Sequence, residues 1–198
     1  MSLSILSGTA YLGVQIPLSS FPDLVREHLR ENPATPNIEQ LGTQLAAQNF
    51  PQKETAEFIR EVCEWGNYAG TASRVLKDNP IAAICQSLQA ATSILATGNS
   101  AAKALTQVNA IRGLGSPSFA SKHLRFLRPD ICPVFDSVLQ EVLPYSFDPD
   151  GYADFCDDCA SLTKTLAGSN FNNPRTRQGG VWFAADVEGA LYMFARRL

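Results

Sequence analysis

Apolar residues recur with a helical period through almost the whole chain, and this limits the folds open to it. In QKETAEFIREVCEW, residues 52–65, Phe58, Ile59, Val62 and Trp65 fall on one stripe. Boundary signals then divide the chain into further helices. In NPIAAICQSLQAATSILATG, Asn79 is placed to cap, Pro80 to take the first helical position and Gly98 to end the helix. Ser100 caps AAKALTQVNAI. A turn at Gly113–Ser116 leads into FASKHLRFL, with Phe119, Leu124 and Leu127 on one side and Lys122 and Arg125 off it. Pro129 and Pro133 keep RPDICP from being helical throughout. DSVLQEVL reads as a short helix with Asp136 near its N-cap. GYADFCDDCASLTKTLAG and GVWFAADVEGALYMFARRL supply two more helices. Only AYLGVQIPL suggests a short extended piece. The expected class is an all-α helical bundle. Residues 1–50, rich in Pro, Ser, Asn and Gln, are expected to be an irregular accessory segment packing on a helical domain of residues 51–198.

With 45% apolar residues in 198, the chain can bury a sizeable core, so global disorder is not expected. A formal net charge of −3 argues, taken alone, against a generic nucleic-acid binder. No apolar run reaches the roughly 18 residues of a membrane helix. No basic residue precedes the apolar part of MSLSILSGTAYLGVQIPLSS, so a signal peptide is not expected and the expected location is cytoplasmic. Five dispersed cysteines fit reduced thiols. Cys156 and Cys159 form a CxxC, but a structural zinc site needs four ligands, and both a second pair and nearby histidines are missing. The pair therefore reads as two cysteines on one helix. No metal and no organic cofactor is expected.

The net charge conceals an asymmetry. From Asn79 to Pro129 there is no Asp or Glu, while Lys103, Arg112, Lys122, Arg125 and Arg128 carry five positive charges. The acids gather at Glu54, Glu57, Glu61 and Glu64, and again from Asp148 to Asp158. A basic stripe in an acidic chain suits a phosphate-binding face, and solvated helix charges are the plain alternative. The Gly-Leu-Gly turn sharpens the first reading. Glycines let a backbone approach a phosphate closely, Leu114 can plug the core, and the next helix offers free N–H groups and a positive dipole end. Gly113, Gly115, Ser116, Ser118, Arg112 and Arg125 are the candidate DNA contacts. The bland counterpart is a helix–helix turn with Gly113 as a C-terminal cap. Asp136 follows Pro-Val-Phe at the start of a helix, where an aspartate also serves as an ordinary N-cap.

The order GLG, basic helix, then PVFDSVL resembles the helix-hairpin-helix and aspartate signature of the DNA glycosylase superfamily that includes endonuclease III and the 8-oxoguanine DNA glycosylases. The resemblance covers roughly Ser100 to Leu143 and looks closest to small bacterial proteins with an 8-oxoguanine glycosylase fold. It implies a helix-hairpin-helix bundle that grips DNA at the turn and flips a modified base, a guanine derivative such as 8-oxoguanine, into a pocket. Asp136 would stabilise the cationic sugar or activate the nucleophile. Where lyase members carry a nucleophilic lysine, this chain has Pro117, which implies a monofunctional enzyme. Lys122 is the nearest lysine. It would serve as a substitute nucleophile if burial lowers its pKa, or else contact phosphate or solvent. Trp182, Phe183 and Phe119 are candidates for the base pocket, with Trp65 and Tyr192 as further aromatics, and core packing is the alternative for each. Arg175 and Arg177 would add phosphate contacts. The rival expectation is a catalytically silent helix-hairpin-helix module that binds DNA or a modified nucleoside, for instance within a bacterial defence system. A helical interaction protein whose basic stripe meets an acidic partner is the third.

Overall fold

A computed structural model describes residues 3–98 and 100–198. Short extended segments and amphipathic helices follow one another in chain order. Three strands, β1 (Ser4–Leu6), β2 (Thr9–Tyr11) and β3 (Gln15–Pro17), form one small antiparallel sheet in the order β1-β2-β3. The helices are α1 (Phe21–Glu31), α2 (Thr35–Ala47), α3 (Gln52–Trp65), α4 (Ala69–Asp78), α5 (Ile81–Ala96), α6 (Ala101–Asn109), α7 (Pro117–Leu127), α8 (Ser137–Val142), α9 (Pro149–Gly168) and α10 (Ala184–Ala195). The protein is mostly helical, as the periodicity implies, and the extended piece expected near AYLGVQIPL is there as β2 and β3. None of the described helices is long and apolar enough to cross a membrane.

The N-terminal region departs from the irregular segment expected of it. Residues 3–50 hold the sheet and two full helices, while residues 1 and 2 lie outside the described residues. Phe21, Leu24, Val25 and His28 of α1 are buried, and α1 packs extensively on α10. α2 lies against α3 and α7. Polar composition concealed these helices because their buried stripes are narrow. In α2 the buried positions are Thr35, Ile38, Glu39, Gly42 and Leu45, of which only two are large and apolar.

α7 is the central helix. It contacts α2, α3, α5 and α6, and every residue from Ala120 to Leu127 is buried. The expected solvent side carrying Lys122 and Arg125 is therefore absent: Lys122 is 5% exposed and Arg125 0%. A helix enclosed on all sides has no face for solvated charge, so both cations need internal partners.

The connection from α6 to α7 is fastened from α4. Gly113 adopts φ 90°, in the left-handed region, and a Cβ on it would lie 2.9 Å from Val75 Cγ2. Leu114 is fully buried, as a plug would be. Asn79, expected to cap α5, has another task. Its Nδ2 donates to Val75 O at 2.7 Å and Arg112 O at 3.0 Å, and its Oδ1 accepts from Arg112 N at 3.0 Å. Asn79→Ala removes all three bonds and is expected to cost about 2 kcal/mol, at a net worth of about 0.5–1.5 kcal/mol each. Urea denaturation checks this, and an unchanged midpoint would show that the turn holds without the clamp.

Candidate functional site

Local chemistry sets up each part of the site. Ser116 caps α7, its Oγ accepting from Ser118 N at 3.4 Å, with Pro117 in the first turn. One turn further on, Lys122 Nζ donates back to Ser118 O at 3.3 Å and to Ser118 Oγ at 3.2 Å. The chain after α7 is tied to it by Ser121, whose Oγ accepts from Phe135 N at 2.9 Å. Phe135 is fully buried against Tyr145, Phe147 and Phe155. Asp136 thus leaves a rigid frame. Its Oδ1 caps α8 by accepting from Leu139 N at 3.3 Å, as expected of an N-cap. Its Oδ2 lies 3.6 Å from Lys122 Nζ, an ion pair just beyond direct hydrogen-bond range.

Lys122 and Asp136 line one cavity of about 220 Å³. Trp65 and Tyr68 come to it from the α3–α4 connection, His28 and Asn32 from the end of α1, and Glu188 and Tyr192 from α10. The aromatic walls are braced. Trp65 meets Phe126 edge-on at 4.9 Å, Tyr68 meets Phe119 at 4.6 Å, and His28 meets Tyr192 at 6.3 Å. Lys122 Nζ stands 5.6 Å from the Tyr68 ring centroid. Burial lowers the pKa of the Lys122 ammonium, while Asp136 and Glu188 act to raise it. Burial and the positive charge of Arg125 and Arg175 push His28 down to about 3, so its ring is neutral near pH 7. The cavity therefore combines flat apolar walls, a buried amine with a weakened hold on its proton, and a carboxylate beside that amine.

The expected DNA contacts separate into two groups. Gly113, Gly115 and Arg112 are exposed on the turn, and Ser116 and Ser118 are half-buried at the start of α7. Arg125 does not belong with them. It is buried with its Nη1 2.7 Å from Glu39 Oε1, yet no guanidinium N–H is aligned for a hydrogen bond, so the contact is an ion pair. The ring of Phe126 lies 4.4 Å from its guanidinium carbon. The basic stripe is correspondingly discontinuous. Lys103 and Arg112 are exposed, Arg128 pairs with Asp130 through bonds of 3.0 and 2.8 Å, and Lys122 and Arg125 are internal. α4, on which the turn packs, adds exposed Arg74 and Lys77 alongside Asp78.

The expected base-pocket aromatics are mostly elsewhere. Trp182 is 5% exposed, donates from Nε1 to Phe171 O at 3.0 Å, and does not line the cavity. Phe183 lines a separate groove with Arg175, Arg177 and Glu39, with the Arg177 guanidinium carbon 3.9 Å from its ring centroid. Phe119 braces Tyr68 from behind. Trp65 and Tyr192 do line the cavity. Arg175 and Arg177, expected at phosphate, are internal ties to Glu39 and Asp186. Glu188, His28 and Tyr68 were not singled out from sequence. An acid amid the apolar residues of the last helix, four positions before Tyr192 and so on the same face, was the available signal for Glu188.

Cys156 and Cys159 lie on α9 as read from sequence. Both are buried free thiols whose pKa values burial raises well above the usual range, which makes them poor nucleophiles. Among the described residues no group of three or more His, Cys, Asp or Glu is placed to hold a metal. No family model, curated protein or solved structure matches the chain.

Proposed function

We propose that the chain is a DNA glycosylase that receives a flipped, modified base in the cavity shared by Lys122 and Asp136. One observation carries the reading: the amine and the carboxylate, 3.6 Å apart, both face a cavity walled by Trp65, Tyr68 and Tyr192. Flat aromatic surfaces suit a base taken out of its stack. The turn at Gly113–Gly115 and exposed Arg112 supply the DNA-facing edge, and the same α7 that begins there carries Lys122 inward.

In this reading Asp136 stabilises the positive charge that develops on the sugar as the glycosidic bond breaks. The bonding electrons leave with the base, which takes up the proton that the attacking water or amine gives up. Lys122 has two roles open to it, set by its protonation state. As a neutral amine it attacks C1′ and forms a covalent adduct. As an ammonium it orients Asp136, and water attacks instead. Burial lowers its pKa and so eases loss of the proton, while Asp136 and Glu188 act against that loss.

Excision from duplex and single-stranded oligonucleotides carrying modified bases, 8-oxoguanine included, tests the reading. Wild type is expected to release a base from at least one member, with alkali revealing abasic sites. Asp136→Asn is expected to lower that rate about 10²-fold or more while DNA binding persists. If Lys122 is the nucleophile, borohydride traps wild type on DNA and fails to trap Lys122→Gln; a wild type that excises without being trapped uses water instead. No excision from any member, or normal excision by Asp136→Asn, overturns the assignment.

A further inference from the structure

α10 is a strongly apolar helix, and every residue from Ala184 to Leu191 is buried. Glu188 stands inside that run. It is 2% exposed, its Oε2 has no hydrogen-bond partner, and it forms part of the wall of the Lys122–Asp136 cavity. The Val134 N–H bonds to this carboxyl, but that leaves Oε2 unmatched, and an orphaned buried polar atom weakens the fold. The two nearby cations are already paired: Arg125 Nη1 lies 2.7 Å from Glu39 Oε1, and Lys122 Nζ lies 3.6 Å from Asp136 Oδ2. A costly, unpartnered oxygen at the wall of a cavity is accounted for by a ligand that completes it.

We propose that Glu188 reads the edge of the base held in this cavity, and that this edge presents a hydrogen-bond donor beside an acceptor. The proposal rests on the glycosylase reading of the same cavity. Burial pushes the Glu188 carboxyl up to about 8, with Asp136 acting the same way, against Arg125, Lys122 and the Val134 N–H. Cys159 of α9 faces the same carboxyl, as does Tyr192 on its own helix, and burial raises the pKa of both, so they stay protonated; His28 across the cavity stays neutral. Glu188 is thus a neutral acid near pH 7, with the orphaned Oε2 as an O–H donor and, beside it, a carbonyl oxygen that keeps a second lone pair next to its bond from the Val134 N–H. An ionised carboxylate, with acceptors only, would instead take an edge with two donors. The donor–acceptor edge occurs as the lactam of guanine derivatives, hypoxanthine and uracil, and as the amidine of adenine derivatives. In a dry cavity a mismatched edge leaves buried groups unpaired, which gives strong discrimination.

The test is equilibrium binding of oligonucleotides that each carry one base: 8-oxoguanine, hypoxanthine, adenine, and the methylated controls N1-methylhypoxanthine and N6,N6-dimethyladenine, which have no N–H donor. Wild type is expected to bind a lactam or an amidine member at least tenfold more tightly than its blocked or mismatched counterparts, and the preferred member names the class. Glu188→Gln keeps a donor and an acceptor and is expected to retain the preference, whereas Glu188→Ala loses it. Chemical denaturation adds an independent readout. A native pKa near 8 against an unfolded value of 4.5 means that the unfolded chain ionises first as pH rises. Stability from this group is therefore full below pH 4.5 and lost up to about pH 8, and Glu188→Gln should lack that fall. Equal binding of the methylated bases, an unchanged preference in Glu188→Ala, identical pH slopes in wild type and Glu188→Gln, or no binding of any member each overturns the proposal. Selective binding with no excision by wild type sinks the glycosylase reading and leaves the edge reading standing. Excision without edge preference does the reverse.

Discussion

Glu39→Gln is expected to destabilise the fold by about 3–5 kcal/mol, because it strands buried charge while keeping the side chain's shape. Glu39 of α2 accepts a two-pronged bond from Arg175, with Nη1 and Nη2 each 2.8 Å from a carboxylate oxygen. Arg125 Nη1 lies 2.7 Å from it and Arg177 Nη2 3.4 Å. Asp186 of α10 completes the cluster. It binds Arg177 at 2.8 and 2.7 Å and Asn173 at 2.8 Å, and it lies 3.2 Å from Arg175. Burial alone would raise its pKa, but the bonds and charge of Arg177, followed by Arg175 and Asn173, hold it below the usual carboxylate value. Three guanidinium groups thus share two carboxylates. Losing Glu39 leaves Arg125, which has no solvent access, without this partner at 2.7 Å. Arg175 and Arg177 keep Asp186. The cluster joins α2, α7, the loop before α10 and α10 itself, so its loss also loosens the helices that carry Lys122 and Glu188. Urea denaturation measures the effect. A loss under about 1 kcal/mol would mean that the cluster behaves like a solvated surface network.

Gly42→Ala is the second large effect, and its origin is steric. α2 crosses α7 so closely that a Cβ on Gly42 would lie 2.1 Å from the Phe126 carbonyl oxygen and 2.8 Å from its carbon. The obstacle is backbone within a buried helix, so no side chain can rotate away. Alanine gains about 1 kcal/mol of helix propensity over glycine, but the two helices must separate to admit it. A net loss of about 3 kcal/mol is expected, at the upper end of overpacking costs. Gly70 of α4 is the control. A Cβ there meets nothing within 4 Å, and Gly70→Ala should be neutral or slightly stabilising. If both variants melt at the wild-type midpoint, the α2–α7 contact is looser than its geometry indicates.

Several site residues were legible because their roles depend on neighbours a few positions away. The N-caps at Ser100 and Asp136 follow from a short polar side chain ahead of a helical run, and the bonds to Ala102 N and Leu139 N realise them. The stripe of α3 and the pairing of Cys156 and Cys159 on one helix are equally local. The plug at Leu114 between two glycines belongs to the same group, since a three-residue pattern specifies it.

Other readings failed where the decisive contact spans many residues. Asn79 looked like a cap and instead fastens residue 112 across 33 positions. Arg125 looked like a phosphate ligand because charge patterning assumes that a helix has a solvent side, and α7 has none among the described residues from Ala120 to Leu127. Arg175 meets Glu39 across 136 positions, a pairing that no local pattern encodes. Trp182 and Tyr192 carry similar aromatic signals on the C-terminal segment, but only the packing of α1 against α10 puts Tyr192 on the cavity and leaves Trp182 in the core.

The sequence by itself determined α3 and the helices from α5 to α10, the caps at Ser100 and Asp136 and the turn, since backbone hydrogen bonds and capping act within about four residues. It also supplied an amine and a carboxylate 14 positions apart. Tertiary structure alone decided that these two meet at 3.6 Å, that Glu188 faces the same cavity, and that three arginines point inward. Burial and proximity are properties of how distant helices pack, and they set the protonation and partners of every charged group enclosed there.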